Sequence, residues 1–234
     1  MIVLAIETST PQSSVAIGTE SETLGSVAVS AGRGHHEVLA PALERLLEWT
    51  GLSLTQVGGI ATGVGPGLFT GLRVGVETAK SLAQVLMVPI VGLPSLDSLA
   101  FGVRHSRRLI AAVIDARRGE VFHAFYRPVP GGVTRESDYA VAPPDHLAAD
   151  IEATGEEVLL VGNGAILYRK RLEELGSGVE FASPTHGSPH ASALVELSIP
   201  RFMREEFDRP HDVVPLYLRK SDAEIAWDQR AGGV

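Results

Sequence analysis

The sequence contains no cysteine among its 234 residues, which excludes thiol nucleophiles, thiolate metal sites and redox chemistry. No apolar run reaches membrane-spanning length. The most apolar window, Ser81 to Leu96, is broken by Gln84, Pro89, Gly92 and Pro94, well short of the roughly 20 residues a spanning helix needs. A basic leader is also missing: Met1 to Ile6 runs straight into Glu7, so the start reads as a strand rather than a signal peptide, and the cytoplasm is the expected compartment. Basic surplus is absent as well. The net charge is −8, with −3 over residues 1–104, −5 over 105–208 and zero over 209–234. No stretch has the excess that neutralising several phosphates requires. The pairs Arg107-Arg108 and Arg117-Arg118 therefore read as solvated ends of elements. What remains is an ordinary globular composition, 44% apolar and 21% charged, with 25 Gly and 14 Pro for turns, long enough for one large domain or two lobes that each bury a core.

Hydrophobic periodicity organises the chain. Met1 to Ile6, the polar turn Glu7-Thr8-Ser9-Thr10-Pro11 and Ser14 to Gly18 predict a β-hairpin, with a third strand near Leu24 to Ser30 and a loop Ala31 to Gly34. From His36 to Trp49, Leu39, Leu43, Leu46 and Leu47 fall at helical spacing; Pro41 sits either in the first turn or at a kink. Val57 to Val64 predicts a strand, followed by the loop Gly65-Pro66-Gly67-Leu68-Phe69 and a helix that Thr70 is placed to cap. On that helix Arg73, Glu77, Lys80 and Gln84 form one narrow stripe, while Gly71, Leu72, Gly75, Val76, Ala79 and Ala83 belong to a much wider apolar or small surface. A helix docked on one sheet needs an apolar stripe only about 100° wide. The excess predicts either a helix wedged between its sheet and its neighbour or a partner-facing surface. Further on come a strand at Val88 to Val91, a short helix at Ser95 to Phe101, and a second hairpin in which Leu109 to Ile114 and Glu120 to Tyr126 flank the turn Asp115 to Gly119. Tyr126 to Thr134 reads as an exposed turn, and Val158 to Val161 as a strand entering Gly162-Asn163-Gly164-Ala165 and a helix through Leu175. Ala191 to Phe207, interrupted at Pro200, closes the helical part; Val213 to Arg219 is apolar and extended, and the last dozen residues read as frayed.

The residue patterns exclude several chemistries. His35 and His36 are adjacent, and Gly187 and Pro189 interrupt His186 and His190, so neither pair presents two imidazoles on one helical face, and no metal is expected. There is no G-x-S-x-G elbow. The loop Gly65 to Gly71 lacks the lysine of a phosphate-binding P-loop; it either favours an anion at a helix N-terminus or simply permits a tight strand-to-helix turn.

The segments AIETSTPQSSVAI, GVGPGLFTGLRVGVETAKSLA, VIDARRGEVFHAFY, LLVGNGA and PLYLRKSDAE resemble, in order and spacing, the TsaB family, also called YeaZ, over nearly the whole chain. That resemblance implies a mixed α/β fold of two lobes, as in actin, Hsp70 and sugar kinases (ASKHA). It implies an N-terminal, partner-binding lobe at 1–104, a smaller lobe at 105–208, and a C-terminal segment at 209–234 that packs back on the lobes. It also implies a non-catalytic partner of TsaD, working with TsaE and TsaC to place threonylcarbamoyl on the adenosine beside the anticodon, position 37, of tRNAs reading ANN codons. TsaB pairs with TsaD, or with itself when TsaD is absent, through its first two helices; tRNA contact is indirect. The implied interface residues are His36, Leu39, Leu43, Leu46, Leu47, Gly71, Leu72, Gly75, Val76, Ala79 and Ala83. The signature loop is Gly65, Pro66, Gly67, Phe69, Thr70 and Arg73. Glu7, Thr8, Ser9, Asp115, Gly162 and Gly164 would be remnants of a nucleotide cleft, with no tightly bound cofactor and at most weak ATP or ADP there or at the complex interface. The positions that hold TsaD's metal-binding histidines align with Ser95 and Leu99, and the carboxylate of the first hairpin is Glu7 where the fold's phosphate hairpin normally has aspartate. Two other readings follow from the same fold: a small-molecule kinase or ATPase using Asp115, and a metallopeptidase, for which the ligand set is missing.

Overall fold

A computed structural model describes residues 1–219 apart from Ala31 and Arg33; the frayed end expected for the last dozen residues, and the KSDAE part of the final motif, lie outside the described residues. The chain opens with three antiparallel strands, β1 (Val3–Glu7), β2 (Ser13–Gly18) and β3 (Thr23–Val29). Helix α1 (His35–Thr50) leads to β4 (Gly59–Gly65), and α2 (Phe69–Leu86) leads to β5 (Ile90–Pro94). The sheet order is β3-β2-β1-β4-β5, with β4 parallel to both β1 and β5.

Both faces of this sheet are covered, which explains why β1 is apolar at successive positions instead of alternating. Leu4, Ile6, Val15 and Ile17 meet α1 and α2 through Leu39, Leu46, Val76 and Ala79. Val3, Ala5, Ala16 and Ala61 face the opposite way, onto α7 (Ala191–Met203) through Leu194, Val195 and Phe202. Helix α7 thus returns to the first sheet from the far end of the 105–208 segment, so the two lobes are not two consecutive stretches of chain. It also runs through Pro200 without ending there. In α1, Pro41 lies inside the helix, past the first turn, at an exposed position; that settles the two readings against the first-turn one.

The second sheet has the order β11-β10-β6-β7-β8, with β9 also on β7. Its members are β6 (Leu109–Arg117), β7 (Glu120–Val129), β8 (Gly132–Arg135), β9 (Ala140–Ala142), β10 (Val158–Val161) and β11 (Val179–Phe181). The expected exposed turn at 126–134 is therefore a strand, a tight turn and another strand. Helices α4 (Pro144–Thr154), α5 (Asn163–Leu167) and α6 (Arg169–Leu172) cover one face. The helix expected through Leu175 breaks at Tyr168 into α5 and α6. The other face packs on α3 (Ser95–Phe101), whose Leu96, Leu99 and Ala100 join Ile110, Ile114 and Phe122. Since α3 also contacts β4, β5 and α7, it is the internal link between lobes; Asp97 on it accepts hydrogen bonds from Tyr126 and Tyr139, both at 2.7 Å. Two lobes, each a sheet flanked by helices, give the actin-like α/β architecture that the resemblance implies.

Candidate functional site

The two hairpin turns and the loop between β4 and α2 converge where the lobes meet. Glu7, Thr8, Ser9 and Thr10 are all buried. The Glu7 carboxylate accepts from the Ser9 amide at 2.7 Å and from the Ser95 hydroxyl at 2.9 Å, and Ser95 Oγ in turn accepts from the Gly65 amide at 3.2 Å. Burial pushes the Glu7 carboxyl pKa above its usual value, and the hydrogen bonds from Ser9 and Ser95 oppose that rise. Over this turn lies the loop. The Leu68 amide donates to the Ser9 carbonyl at 2.7 Å, and the Thr8 hydroxyl donates to the Gly71 carbonyl at 2.8 Å. A Cβ at Gly67 would collide with the Ser9 carbonyl oxygen, at Gly71 with the Thr8 carbonyl oxygen, and at Gly75 with the Thr8 hydroxyl. The glycines of the signature loop thus allow two backbones to touch.

That packing corrects two expectations. Thr70 does not cap α2: the N-cap is Leu68, with no side-chain hydrogen bond, and Thr70 is exposed in the first turn. The wide apolar surface of α2 is spent mostly inside the chain, because Gly71, Leu72, Gly75, Val76, Ala79 and Ala83 are buried, as are Leu39 and Leu46 of α1. Of the residues expected to meet a partner, His36 is exposed and Leu43 and Leu47 are half-buried. Apolar groups do reach solvent at the C-terminal ends of the same two helices: Trp49 is 72% exposed, Val85 77% and Met87 90%.

The remnant-cleft residues divide in the same way. At the first turn the Thr8 hydroxyl is committed to the Gly71 carbonyl and the Ser9 amide to the Glu7 carboxyl group, while Ser9 Oγ is buried without a hydrogen-bond partner. Asp115 lies within β6 rather than in the turn, accepts from the Arg117 amide at 2.8 Å, and receives no support as an activating base. Gly162 and Gly164 serve packing, because a Cβ on either would strike the β6 backbone at Val113 to Asp115. Ser95 is occupied by its bridge between Glu7 and Gly65, and Leu99 is in the interlobe core. Among the described residues, no group of three or more His, Asp or Glu side chains could hold a metal ion, and no helix is long and apolar enough to cross a membrane.

Two features go beyond what the sequence resolves. Residues 213–219, in the segment expected to pack back on the lobes, form a strap between them. Val213 enters the core of the first lobe, and the Leu216 amide donates to the Val64 carbonyl at 2.7 Å. The Tyr217 ring stacks on Phe69 with centroids 4.8 Å apart, and its hydroxyl accepts from Arg73 Nε at 3.1 Å while the Arg73 guanidinium lies over Phe69. Leu218 and Arg219 land on the second lobe, Arg219 donating to Glu120 and to the Ala116 carbonyl. The apolar PLYLR pattern signals burial but not this route. Beneath the strap is an interlobe cavity of about 440 Å³, walled by Gly67 to Gly71, His35, Ala116, Arg117, Phe122 and Leu216 to Arg219.

The comparisons with known proteins agree with this architecture. The family model described as "TsaD: tRNA N6-adenosine threonylcarbamoyltransferase" matches residues 15–227. The tRNA threonylcarbamoyladenosine biosynthesis protein TsaB of Bacillus subtilis is 31% identical over 229 residues, covering 97% of this chain and 98% of that protein. The TsaB protein of Escherichia coli is 29% identical over 235 residues, covering 99% of each. The solved structure of YeaZ from Pseudomonas aeruginosa superimposes with a TM-score of 0.79 at 30% identity, covering 93% of this chain and 99% of that one. On this similarity over nearly its full length, together with the two-lobed fold and the signature loop, the chain belongs to the TsaB (YeaZ) family of tRNA threonylcarbamoyladenosine biosynthesis proteins.

Proposed function

We propose that this chain is the non-catalytic partner and activator of TsaD in threonylcarbamoyl transfer from threonylcarbamoyl-AMP to adenosine 37 of tRNAs reading ANN codons. In this reading TsaE joins a ternary complex, a homodimer forms when TsaD is absent, tRNA is contacted indirectly, and the protein acts in the cytoplasm. The observation that carries it is the unspent apolar surface on the first two helices. Trp49, Val85 and Met87 project into solvent where α1 and α2 finish, on the same helices as the half-buried Leu43, Leu47 and Leu82. Large exposed apolar side chains grouped on neighbouring elements mark an interaction surface. Non-catalytic status is supported by the use made of Ser95 and Leu99, the first tied into a hydrogen-bonded bridge and the second into the core.

The buried glycines move the docking surface away from the small-residue stripe. A bulky charge at Gly75 or Ala79 would disrupt the lobe itself, so it tests folding rather than pairing. The informative variants are Val85→Glu and Met87→Glu, which should leave monomer stability within about 0.5 kcal/mol because both sites are exposed. Each should abolish co-elution with TsaD in size-exclusion chromatography. The activity test combines this chain, TsaD and TsaE in every subset with threonylcarbamoyl-AMP and tRNA. Transfer should require TsaD and this chain together and be absent from this chain alone; transfer by TsaD and TsaE that is indifferent to it would sink the reading.

A further inference from the structure

The strap and helix α3 both link the lobes, and they are built in opposite ways. Helix α3 is core: Leu96, Leu99 and Ala100 are buried, and Asp97 is tied to two tyrosines. The strap has neither helix nor strand. Val213 is buried, but Val214 and Tyr217 are exposed and the residues around them only half-buried. Among the described residues, the backbone of 214–219 makes one hydrogen bond, from the Leu216 amide to the Val64 carbonyl, and Pro215 has no amide proton to offer. Segments with few buried apolar contacts and few backbone bonds open locally, at a lower free energy than the whole fold.

The other attachments of the strap are side chains at the surface. The Tyr217 ring stacks on Phe69 at 4.8 Å, and the Arg73 guanidinium lies 4.0 Å from the centre of Phe69 while its Nε donates to the Tyr217 hydroxyl. Arg73 and Tyr217 are both exposed, so parting them strands no buried polar group. At the far end Arg219 is paired with Glu120, and both side chains reach solvent, at 23% and 32% exposure; salt screens such a pair. Leu216 to Arg219 also form one wall of the interlobe cavity, and Gly67 to Gly71 another.

We propose that residues 214–219 are a lid over the interlobe cavity, hinged at Val213 and latched by Arg73, Phe69 and Tyr217. The lid opens while both lobes stay folded, because α3 holds them together from within. Opening uncovers the wall at Ala116. The inference does not depend on the partner reading, since the isolated chain suffices to test it.

The experiment follows amide hydrogen exchange of the isolated full-length protein, with and without urea below its unfolding transition. The Leu216 amide should exchange faster than the amides of α3, at a rate indifferent to urea, because a local opening exposes little surface. High salt should speed it by loosening Arg219 from Glu120. Tyr217→Ala should raise the Leu216 rate by about tenfold, the effect of losing one ring stack and one hydrogen bond, with Tyr217→Phe intermediate. As the chain has no native cysteine, Ala116→Cys gives a second readout. Its thiol should react with a thiol reagent more slowly than a free thiol, and about tenfold faster once Tyr217→Ala is added. The inference is overturned if Leu216 exchanges as slowly as α3 with the same urea dependence, which would mean that the strap moves only in global unfolding. It is equally overturned if the thiol at position 116 reacts like a free one, or if Tyr217→Ala changes neither rate.

Discussion

The two hairpins share a design, strand, polar turn, strand, and have opposite fates. In the first, the turn after β1 is entirely buried and carries an acid with a raised pKa. In the second, the turn after β6 stands in solvent and places Arg117 and Arg118 at φ +63° and +57°, followed by Gly119 at +79°. The contrast comes from what lies across each. The loop Gly65 to Gly71 closes over the first turn through backbone contacts, whereas Arg219 of the strap reaches the base of the second at the Ala116 carbonyl. A turn that serves as a ligand cradle elsewhere becomes core once a glycine-rich loop is laid on it, and the opposite turn keeps the Arg117 cation at the surface.

The comparison breaks most completely if the seal is forced open. Gly71→Leu places a side chain on the Thr8 carbonyl and should cost about 3 kcal/mol, at the upper end of overpacking effects; urea denaturation measures it, and an unchanged midpoint would mean that the loop lifts away freely. A second effect is one of sign. The native state holds a proton on Glu7 that the unfolded chain releases, so stability contributed by this group falls as pH rises from about 4.5 toward the raised native pKa. Glu7→Gln should flatten that limb. On the second hairpin His123 is buried, 3.4 Å from Asp150, and burial lowers its pKa below 6.5. The native state sheds a proton that the unfolded chain keeps, so stability there is lost as pH falls below about 6.5. His123→Gln should remove that loss and leave the limb above pH 4.5 untouched. The smallest effect sharpens the contrast. Arg117→Asn relieves a left-handed backbone and should stabilise by about 1 kcal/mol, a rise of roughly 2–4 °C in melting temperature; no gain would show that the left-handed cost is met by contacts of Arg117.

Local patterns in the sequence carry much of this architecture. Apolar runs bounded by polar turns locate β1, β2, β6 and β7, and helical spacing locates α1 and α2 within a few residues. Helix α4 is not among the elements that periodicity predicts, although Pro144 at its first position and Gly155 at its end are ordinary boundary signals. The short strands β8, β9 and β11 have too few residues for a period to register. The wide apolar surface of α2 is visible as composition, but a helical wheel does not say which contacts come from the same chain. Gly71 and Gly75 are spent on Thr8, some sixty residues earlier, a pairing that only the closed loop creates. The Ser95 bridge is likewise long-range and leaves no local pattern; the apolar run of the strap signals burial but not its route from one lobe to the other.

The strap has a mechanical consequence. Between Val213 in the core of one lobe and Leu218, half-buried against the core of the other, there are only four residues, too short a tether to slacken. Two-lobed proteins that open and shut about a hinge need free travel at the mouth of the cleft, and here the mouth is stitched by the chain itself. A load applied by a partner at α1 and α2 would therefore be carried to the second lobe as displacement of the whole body, unless Tyr217 first peels away from Phe69. That ring stack, with the Leu216–Val64 hydrogen bond on one lobe and the Arg219–Glu120 pair on the other, is the clasp across the mouth.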